Sequence, residues 1–531
     1  MGLPPTSLLS VRGLTVTINH RTVVDGIDLE VAPGECLAIV GASGAGKSLS
    51  ALSLLGLAPH TARVSADELR LAPTSEGSGE ILLTGVLSGA SRERVWRGIR
   101  GNRIALVSQD ALVALDPLRR VGAEVAEPLE IHERISGVER VERVHTLLTQ
   151  VAVPDPHARA RQRSGELSGG LRQRALIASA LAGSPDVLIA DEPTTALDAT
   201  VRMRVLDLLR DIVDTGTSLI LVSHDMAAVA RVADRIAVMD AGRIVEVGTA
   251  DEILRAPQHS VTQALVAAAE PGEPRPNRPD TDIVLTGDHL TRSYPGSGDQ
   301  PQGLFDVSLA LKRGRTLGIV GESGAGKTTL ARLLLGLESA DSGDVRLAGE
   351  SWNPLPERER RGRRRQIQLV PQNPAAAFDP RWSIGRGLRE ALAIAGVHDR
   401  ARVGELLELV ELDPALATRR PHELSGGQRQ RAALARALAT GAGILILDEP
   451  LSALDVAVQR KVLTLLERLQ DELGLAIALI SHDLAVVRRL ADDIVVLRDG
   501  HAVEQGTAAS VLGNPQHPFT RELIAASTLP V

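Results

Sequence analysis

The 531-residue sequence predicts two tandem α/β domains, each built on a mainly parallel sheet, and three observations lead there. First, the chain repeats itself. Gly41-Ala-Ser-Gly-Ala-Gly-Lys47-Ser48 returns as Gly321-Glu-Ser-Gly-Ala-Gly-Lys327-Thr328, and Leu167-Ser-Gly-Gly-Leu-Arg-Gln-Arg174 returns as Leu424-Ser-Gly-Gly-Gln-Arg-Gln-Arg431. Asp191-Glu192-Pro193 returns as Asp448-Glu449-Pro450, and Ser223-His224-Asp225 as Ser481-His482-Asp483. Four elements in one order in each half mark an internal duplication, which fixes the architecture before any finer reading. Second, short apolar runs end at these elements: 37–40 and 317–320 at the glycine loop, 187–190 and 444–447 at Asp-Glu, 218–222 and 477–480 at Ser-His-Asp. Such runs read as buried parallel strands, and open α/β sheets place their ligands at the carboxyl ends of those strands. Third, Glu270–Pro279 holds four prolines in ten residues, which suits an extended spacer and cannot continue a helix or a central strand. The expected organisation is a first domain over 1–269, a linker over 270–283 and a second domain over 284–531.

The repeat offset locates the differences between the halves. It is 280 between Lys47 and Lys327, 263 between Gln109 and Gln372, and 257 at both Ser168/Ser425 and Glu192/Glu449. The first half thus carries 17 extra residues before Gln109 and six more before Ser168. The larger excess is expected over 58–80, whose Pro73–Gly79 has surface-loop composition.

The glycine loops carry the chemistry of a P-loop. Gly41, Gly44 and Gly46 let the backbone curl so that its N–H groups point at phosphate oxygens. Lys47 brings a point charge to the β- and γ-phosphates, and the Ser48 hydroxyl suits Mg²⁺. Gly321, Gly324, Gly326, Lys327 and Thr328 repeat the set. Asp191 and Asp448 are expected to hold Mg²⁺, and Glu192 and Glu449 to polarise the attacking water. An Asp-Glu pair is often only a solvated loop end. The apolar strand before it, and Ala196-Leu-Asp198 or Ala453-Leu-Asp455 after it, favour the chemical reading.

Composition bounds the alternatives. Three Trp, one Tyr and three Phe leave the cores to aliphatic residues. The net charge of −7 gives no broad basic footprint for nucleic acid. Cys36 is the single cysteine, so no internal disulfide or multi-cysteine metal site is expected, and a reducing compartment fits. Residues 1–30 do not read as a signal peptide, and no window reads as a membrane span. The run Arg358–Arg365 is read as a solvated face, with anionic lipid contact second.

Leu-Ser-Gly-Gly-Gln between a P-loop and Asp-Glu is the signature of ABC-type ATPases. Leu424–Gln428 matches it fully, and Leu167–Leu171 departs only at Leu171. The chain resembles that family over nearly its whole length. The resemblance implies two ABC-type domains, each with a parallel sheet core, an antiparallel β part and an inserted helical subdomain. It also implies that two ATP molecules bind between P-loop and signature of opposite halves. One site combines Lys47, Ser48, Gln109, Asp191, Glu192 and His224 with Ser425, Gly426 and Gly427. The other combines Lys327, Thr328, Gln372, Asp448, Glu449 and His482 with Ser168, Gly169 and Gly170. By the same resemblance, His224 and His482 contact the γ-phosphate, and Gln109 and Gln372 contact Mg²⁺ and water. Tyr294 stacks on adenine, where the first half offers only Ile18.

Two segments narrow the family. Gln109–Pro117 and Gln372–Pro380 resemble the Q-D-P-x-x-x-L-N-P segment of dipeptide, oligopeptide and nickel importer ATPases, with Asp116 and Asp379 in place of Asn. Pro515–Thr520 resembles that subfamily's H-P-Y-T tail, and Pro257–Thr262 is a weaker copy. The implied protein is an ATPase that energises an importer of di- or oligopeptides from the cytoplasmic face of the cell membrane. Its implied partners are two permease subunits and an extracytoplasmic solute-binding protein. Nickel, glutathione or a siderophore are the alternative solutes. A soluble double ATPase acting on ribosomes is the rival of another class, and the short proline-rich linker argues against it.

Overall fold

The computed structural model describes residues 7–526 except 73–80, 84–91, 110, 134, 136, 195, 196, 198, 270–274, 276, 277, 296–301, 323, 452, 453 and 455. Pro73–Gly79, most of the Glu270–Pro279 stretch, and both Ala-Leu-Asp segments apart from Leu197 and Leu454 lie outside the described residues. The chain divides into two compact units that change over between Glu270 and Pro271.

The first unit is organised by a six-stranded sheet. Its order is Arg243–Thr249, Arg235–Asp240, Cys36–Val40, Ser218–Ser223, Val187–Asp191 and Ile104–Val107. Only the first pair is antiparallel. Alternate residues of one strand serve two cores: Leu37 and Ile39 pack on one face, Cys36, Ala38 and Val40 on the other. Both faces are therefore covered, which is why these strands read as unbroken apolar runs. A second, antiparallel sheet carries the hairpin Leu9–Ile18/Arg21–Val31. Helices Val121–Pro128, Gly137–Gln150 and Pro156–Arg161 fill the stretch between Gln109 and Ser168, as an inserted helical part requires.

The second unit repeats this plan. Its sheet runs Ile367–Val370, Ile444–Asp448, Ala476–Ile480, Thr316–Gly321, Asp493–Arg498 and His501–Thr507. An antiparallel sheet contains Ile283–Tyr294 and Gln302–Lys312, and helices Ile384–Ile394 and Arg402–Leu409 form the inserted part. The fold class expected from the sequence is therefore present twice.

The tail resemblance acquires a physical basis. The Glu504 carboxylate accepts the N–H groups of Gln516 (2.8 Å) and His517 (3.0 Å), and His517 Nδ1 accepts from Phe519 N (3.2 Å) at the start of helix Pro518–Ala525. The weaker copy is built the same way. Glu246 accepts Gln258 N (2.8 Å) and His259 N (2.9 Å), and His259 Nδ1 accepts Val261 N (3.3 Å).

The basic run differs from the expected solvated face. Arg360, Arg363 and Arg364 turn inward, their guanidinium groups 5.5–5.7 Å from the Trp352 ring. Arg364 donates to Leu335 O (2.6 Å) and Gly336 O (3.2 Å), and Arg360 donates to Gly336 O (2.5 Å). These carbonyls end the P-loop helix Lys327–Leu334, where cations are favoured. Arg100, 5.6 Å from the Trp96 ring, does the same for Leu55 O (2.8 Å) and Gly56 O (3.0 Å) in the first unit.

The first glycine of each loop is set by close approach. A Cβ on Gly321 would lie 2.3 Å from Leu497 O, and one on Gly41 2.1 Å from Met239 O. Gly321→Ala is expected to destabilise the second unit by about 1–3 kcal/mol through overpacking. Calorimetry of the full chain checks this, the contrary result being an unchanged transition.

Candidate nucleotide-hydrolysis site

The register of the central sheet brings three strand ends together in each unit. Val40 pairs with Ser223, and Asp191 pairs with Val222, so P-loop, His224 and the Asp-Glu pair emerge side by side. The second unit matches, with Ile319 and Asp448 both beside Ile480.

The P-loop is closed on its own lysine. Lys47 Nζ donates to Gly41 O (2.8 Å) and Ala42 O (2.9 Å), and Lys327 Nζ to Gly321 O (2.8 Å) and Glu322 O (2.7 Å). Both lysines are buried, at 5% and 8% exposure. Gly46 (φ 102°) and Gly326 (φ 95°) turn the chain into the helices that start at these lysines. The first N–H groups of such helices lack intrahelical partners, and they attract a phosphate together with the lysine charge.

Ser48 Oγ donates to Asp191 Oδ1 at 2.8 Å, a pair of hard oxygens beside the loop. Thr328 and Asp448 hold the corresponding helix and strand positions. Burial pushes the Asp191 carboxyl up, the Ser48 hydrogen bond opposing it and the Glu192 charge adding to it. Burial, then Glu449, pushes Asp448 up in the same way. Such a site favours a cation that restores the ionised form.

Each glutamate is held on both oxygens. Gln109 Nε2 donates to Glu192 Oε2 (2.9 Å), and His224 Nδ1 lies 3.1 Å from Glu192 Oε1. Gln372 Nε2 donates to Glu449 Oε2 (2.8 Å), and His482 Nδ1 lies 3.2 Å from Glu449 Oε1. The His482 hydrogen bond holds the Glu449 carboxyl below its ordinary value, against burial. Glu192 (φ 46°) and Glu449 (φ 45°) are both left-handed, a conformation costly for a side chain of this kind and found where function fixes the backbone. Their N–H groups bond to Val222 O and Ile480 O, each at 2.9 Å. The structure thus gathers Gln, Glu and His into one unit of contact. The sequence reading assigned them separate roles and missed the clamp; 83 and 77 residues separate Gln from Glu, and no local signal announces it.

Ser168 and Ser425 cap the helices Gly169–Leu181 and Gly426–Ala439. Ser425 and Gln428 bond reciprocally, at 3.3 and 2.9 Å. Leu171 stands where Gln428 would, so the Ser168 hydroxyl accepts the Leu171 N–H at 3.4 Å and the Leu171 side chain returns no bond to the Ser168 backbone. Tyr294 ends its strand with Arg292 5.3 Å from its ring and its hydroxyl bonded to Glu338. Ile18 ends the corresponding strand of the first unit, before the Asn19-His20 turn.

A buried lysine in a glycine loop, an oxygen pair and a clamped glutamate at neighbouring strand ends define a P-loop ATPase, present twice. The chain belongs to the ABC transporter family: the "ABC transporter" family model matches residues 24–195 and 304–452. The model for "Oligopeptide/dipeptide transporter, C-terminal region" matches 503–530. The chain is similar to the peptidoglycan transport ATP-binding protein YejF of Agrobacterium fabrum, 41% identical over 98% of this chain and 96% of that protein. It is also similar to the glutathione import ATP-binding protein GsiA of Salmonella choleraesuis, 38% identical over 98% and 89%. Among solved structures, an archaeal ribosome recycling factor in complex with a ribosomal stalk protein shares the fold (TM-score 0.58, 22% identity, 90% of this chain and 86% of that one). ATP is the nucleotide bound, and ATP hydrolysis is the activity.

Two adjacent glycines separate fold from function. A Cβ on Gly170 would lie 2.3 Å from Val201 Cγ1, whereas one on Gly169 meets nothing closer than Leu197 Cδ2 at 3.8 Å. Gly170→Ala is expected to destabilise the first unit by about 1–3 kcal/mol. Gly169→Ala is expected to leave the transition in place and, on the reading that this helix N-terminus binds phosphate, to cut ATP turnover by about 10²-fold. Paired calorimetry and phosphate-release assays check this; normal turnover in Gly169→Ala contradicts it.

Proposed function

We infer that the chain is the ATP-hydrolysing subunit of a binding-protein-dependent importer of di- or oligopeptides. The observation that carries this reading is the duplicated Gln–Glu–His clamp beside each P-loop, joined in sequence to segments of the peptide-importer type. The similarity to a peptidoglycan transport and a glutathione import ATP-binding protein, and the match to the oligopeptide/dipeptide transporter C-terminal region, support import of peptide-like solutes.

Lys47 and Lys327 neutralise the β- and γ-phosphates, and the loop N–H groups orient them. Ser48, Asp191 and Gln109, and Thr328, Asp448 and Gln372, suit an oxygen-seeking Mg²⁺, which when bound supplies charge neutralisation on the phosphates. Glu192 and Glu449 accept a proton from the attacking water, and His224 and His482 orient the carboxylate and reach the γ-phosphate. Ser168–Gly170 and Ser425–Gly427 each offer a helix N-terminus to a nucleotide phosphate. Tyr294 stacks on the adenine of the Lys327 site.

Beyond Gln109, Val113 and Leu118 are 83% and 76% exposed, apolar groups that suit contact with a membrane subunit. Asp116 accepts the Leu118 N–H at 2.8 Å, and Asp379 holds the Arg381 N–H (2.9 Å) and guanidinium (2.8 Å), fixing both turns. No helix among the described residues is long and apolar enough to cross a membrane. Two separate permeases, an extracytoplasmic binding protein and a peripheral place on the cytoplasmic face complete the reading.

Glu192→Gln and Glu449→Gln should each leave ATP binding intact, and the double substitution should cut turnover by about 10²–10⁴-fold. Wild-type turnover in the double variant overturns the assignment. Deletion of the gene should abolish growth on a peptide as sole source of a required amino acid. Normal peptide uptake with loss of nickel, glutathione or siderophore uptake overturns the solute alone. Unchanged uptake with co-sedimentation on ribosomes overturns the transport reading.

A further inference from the structure

The proline-rich stretch at the start of the second unit carries more chemistry than a spacer needs. Arg275 Nη1 donates to Gln470 Oε1 (2.5 Å) and Leu490 O (3.4 Å), and its Nη2 lies 3.7 Å from Asp471 Oδ1. Arg278 donates to Gly314 O (2.8 Å) and pairs with the same Asp471. Arg315 returns Nη1 to the carbonyls of Arg278 (2.7 Å) and Pro279 (3.3 Å). Only 11% of the Arg275 side chain is exposed.

The first unit shows what this place is for. Arg210, on helix Ala199–Asp214, donates to Val232 O (2.8 Å), to both oxygens of Asp234 (3.2 and 3.3 Å) and to Asp214 (2.8 Å). Asp234 in turn accepts the N–H of Cys36 (2.8 Å), the first residue of the P-loop strand. The repeat carries Val232, Asp234, Asp214 and Cys36 onto Leu490, Asp492, Asp471 and Thr316. Asp492 accepts the Thr316 N–H at 2.8 Å, and only 6% of the residue is exposed. Arg210, however, falls on Glu467, which pairs with Arg489 (2.7 Å) instead. The second unit's own helix therefore puts a carboxylate where the first unit has a cation. Arg275 reaches the same carbonyl, that of Leu490, and one of the two corresponding carboxylates, Asp471, from the preceding stretch of chain, with Arg278 beside it.

We propose that Arg275 and Arg278 act as a strap of the second ATPase unit, Arg275 standing in for the arginine that its helix lacks, and secure the base of its P-loop strand. Asp492 fixes the first residue of that strand, and Gln470 donates to the Thr316 hydroxyl at 2.8 Å. The strap thus acts on the strand that leads to Lys327, and the second unit is incomplete when begun at residue 284.

The test is a rescue in the full chain. Hydrogen exchange is followed by mass spectrometry in peptides covering 316–321 and 476–480, with 36–40 and 218–223 as controls. Arg275→Ala should speed exchange by about tenfold or more in the second-unit peptides only, as expected when the acceptors on Gln470 and Leu490 lose their buried donor. Thr464→Asp with Glu467→Arg transplants the first unit's Asp207 and Arg210. In that background Arg275→Ala should lose most of its effect. Should Arg275→Ala alone fail to fold, recovery of soluble chain in the transplanted background is the supporting result, and failure to recover is the overturning one. No change in exchange on Arg275→Ala, or an equal change with and without the transplant, overturns the proposal.

Discussion

One carboxylate per unit, Glu192 or Glu449, stands between an amide on one oxygen and an imidazole on the other, and much of the surrounding structure serves to keep it there. The clamp needs three strands in fixed register, because Gln, Glu and His each sit at the end of a different one. It also needs a left-handed residue at the glutamate itself, an uncommon conformation that persists only where the surroundings over-determine it. The two-faced core provides that rigidity. Its interior is too closely packed to let one strand slide against its neighbour.

The two units reach one geometry by partly different means, which shows which features are constraint and which are history. Each ends its P-loop helix with arginine stacked near tryptophan, yet Trp96 lies on helix Arg92–Ile99 and Trp352 on strand Glu350–Asn353. Each fixes the first residue of its P-loop strand through an aspartate, Asp234 or Asp492. The arginine that reaches the carbonyl two residues before that aspartate comes from a helix in one unit and from the preceding chain in the other. The signature cap is reciprocal at Ser425 and one-sided at Ser168, because Leu171 has no group to return to the backbone. Constraint therefore lies in the charge and hydrogen bond required at a place, not in the residue that supplies them.

The sheet, the glycine loops and the strand-end acids were legible in the sequence because each depends on neighbours close along the chain. Apolar runs ending in Gly, Asp-Glu or Ser-His-Asp mark buried parallel strands and the loops that must follow them. The clamp was not legible, since its members meet only after the sheet forms. Composition misled at Arg358–Arg365, where a basic run reads as solvated but three guanidinium groups turn onto Trp352 and the end of a helix. It was incomplete at Arg275 and Arg278, whose partners lie 36 to 215 residues away. The tail copy at Pro257–Thr262 looked weak because its apolar residues differ, while the Glu246 anchor that builds it lay outside the compared segment.

The central claim is that the chain holds two complete ATP sites, each built around its own lysine. The most direct measurement is the number of ATP analogue molecules bound per full-length chain at saturation, in the presence of Mg²⁺. The account predicts two for the wild type, and one for either Lys47→Ala or Lys327→Ala at analogue concentrations where the intact site alone is filled. A single equivalent in the wild type, or loss of only one and the same site whichever lysine is replaced, would contradict it.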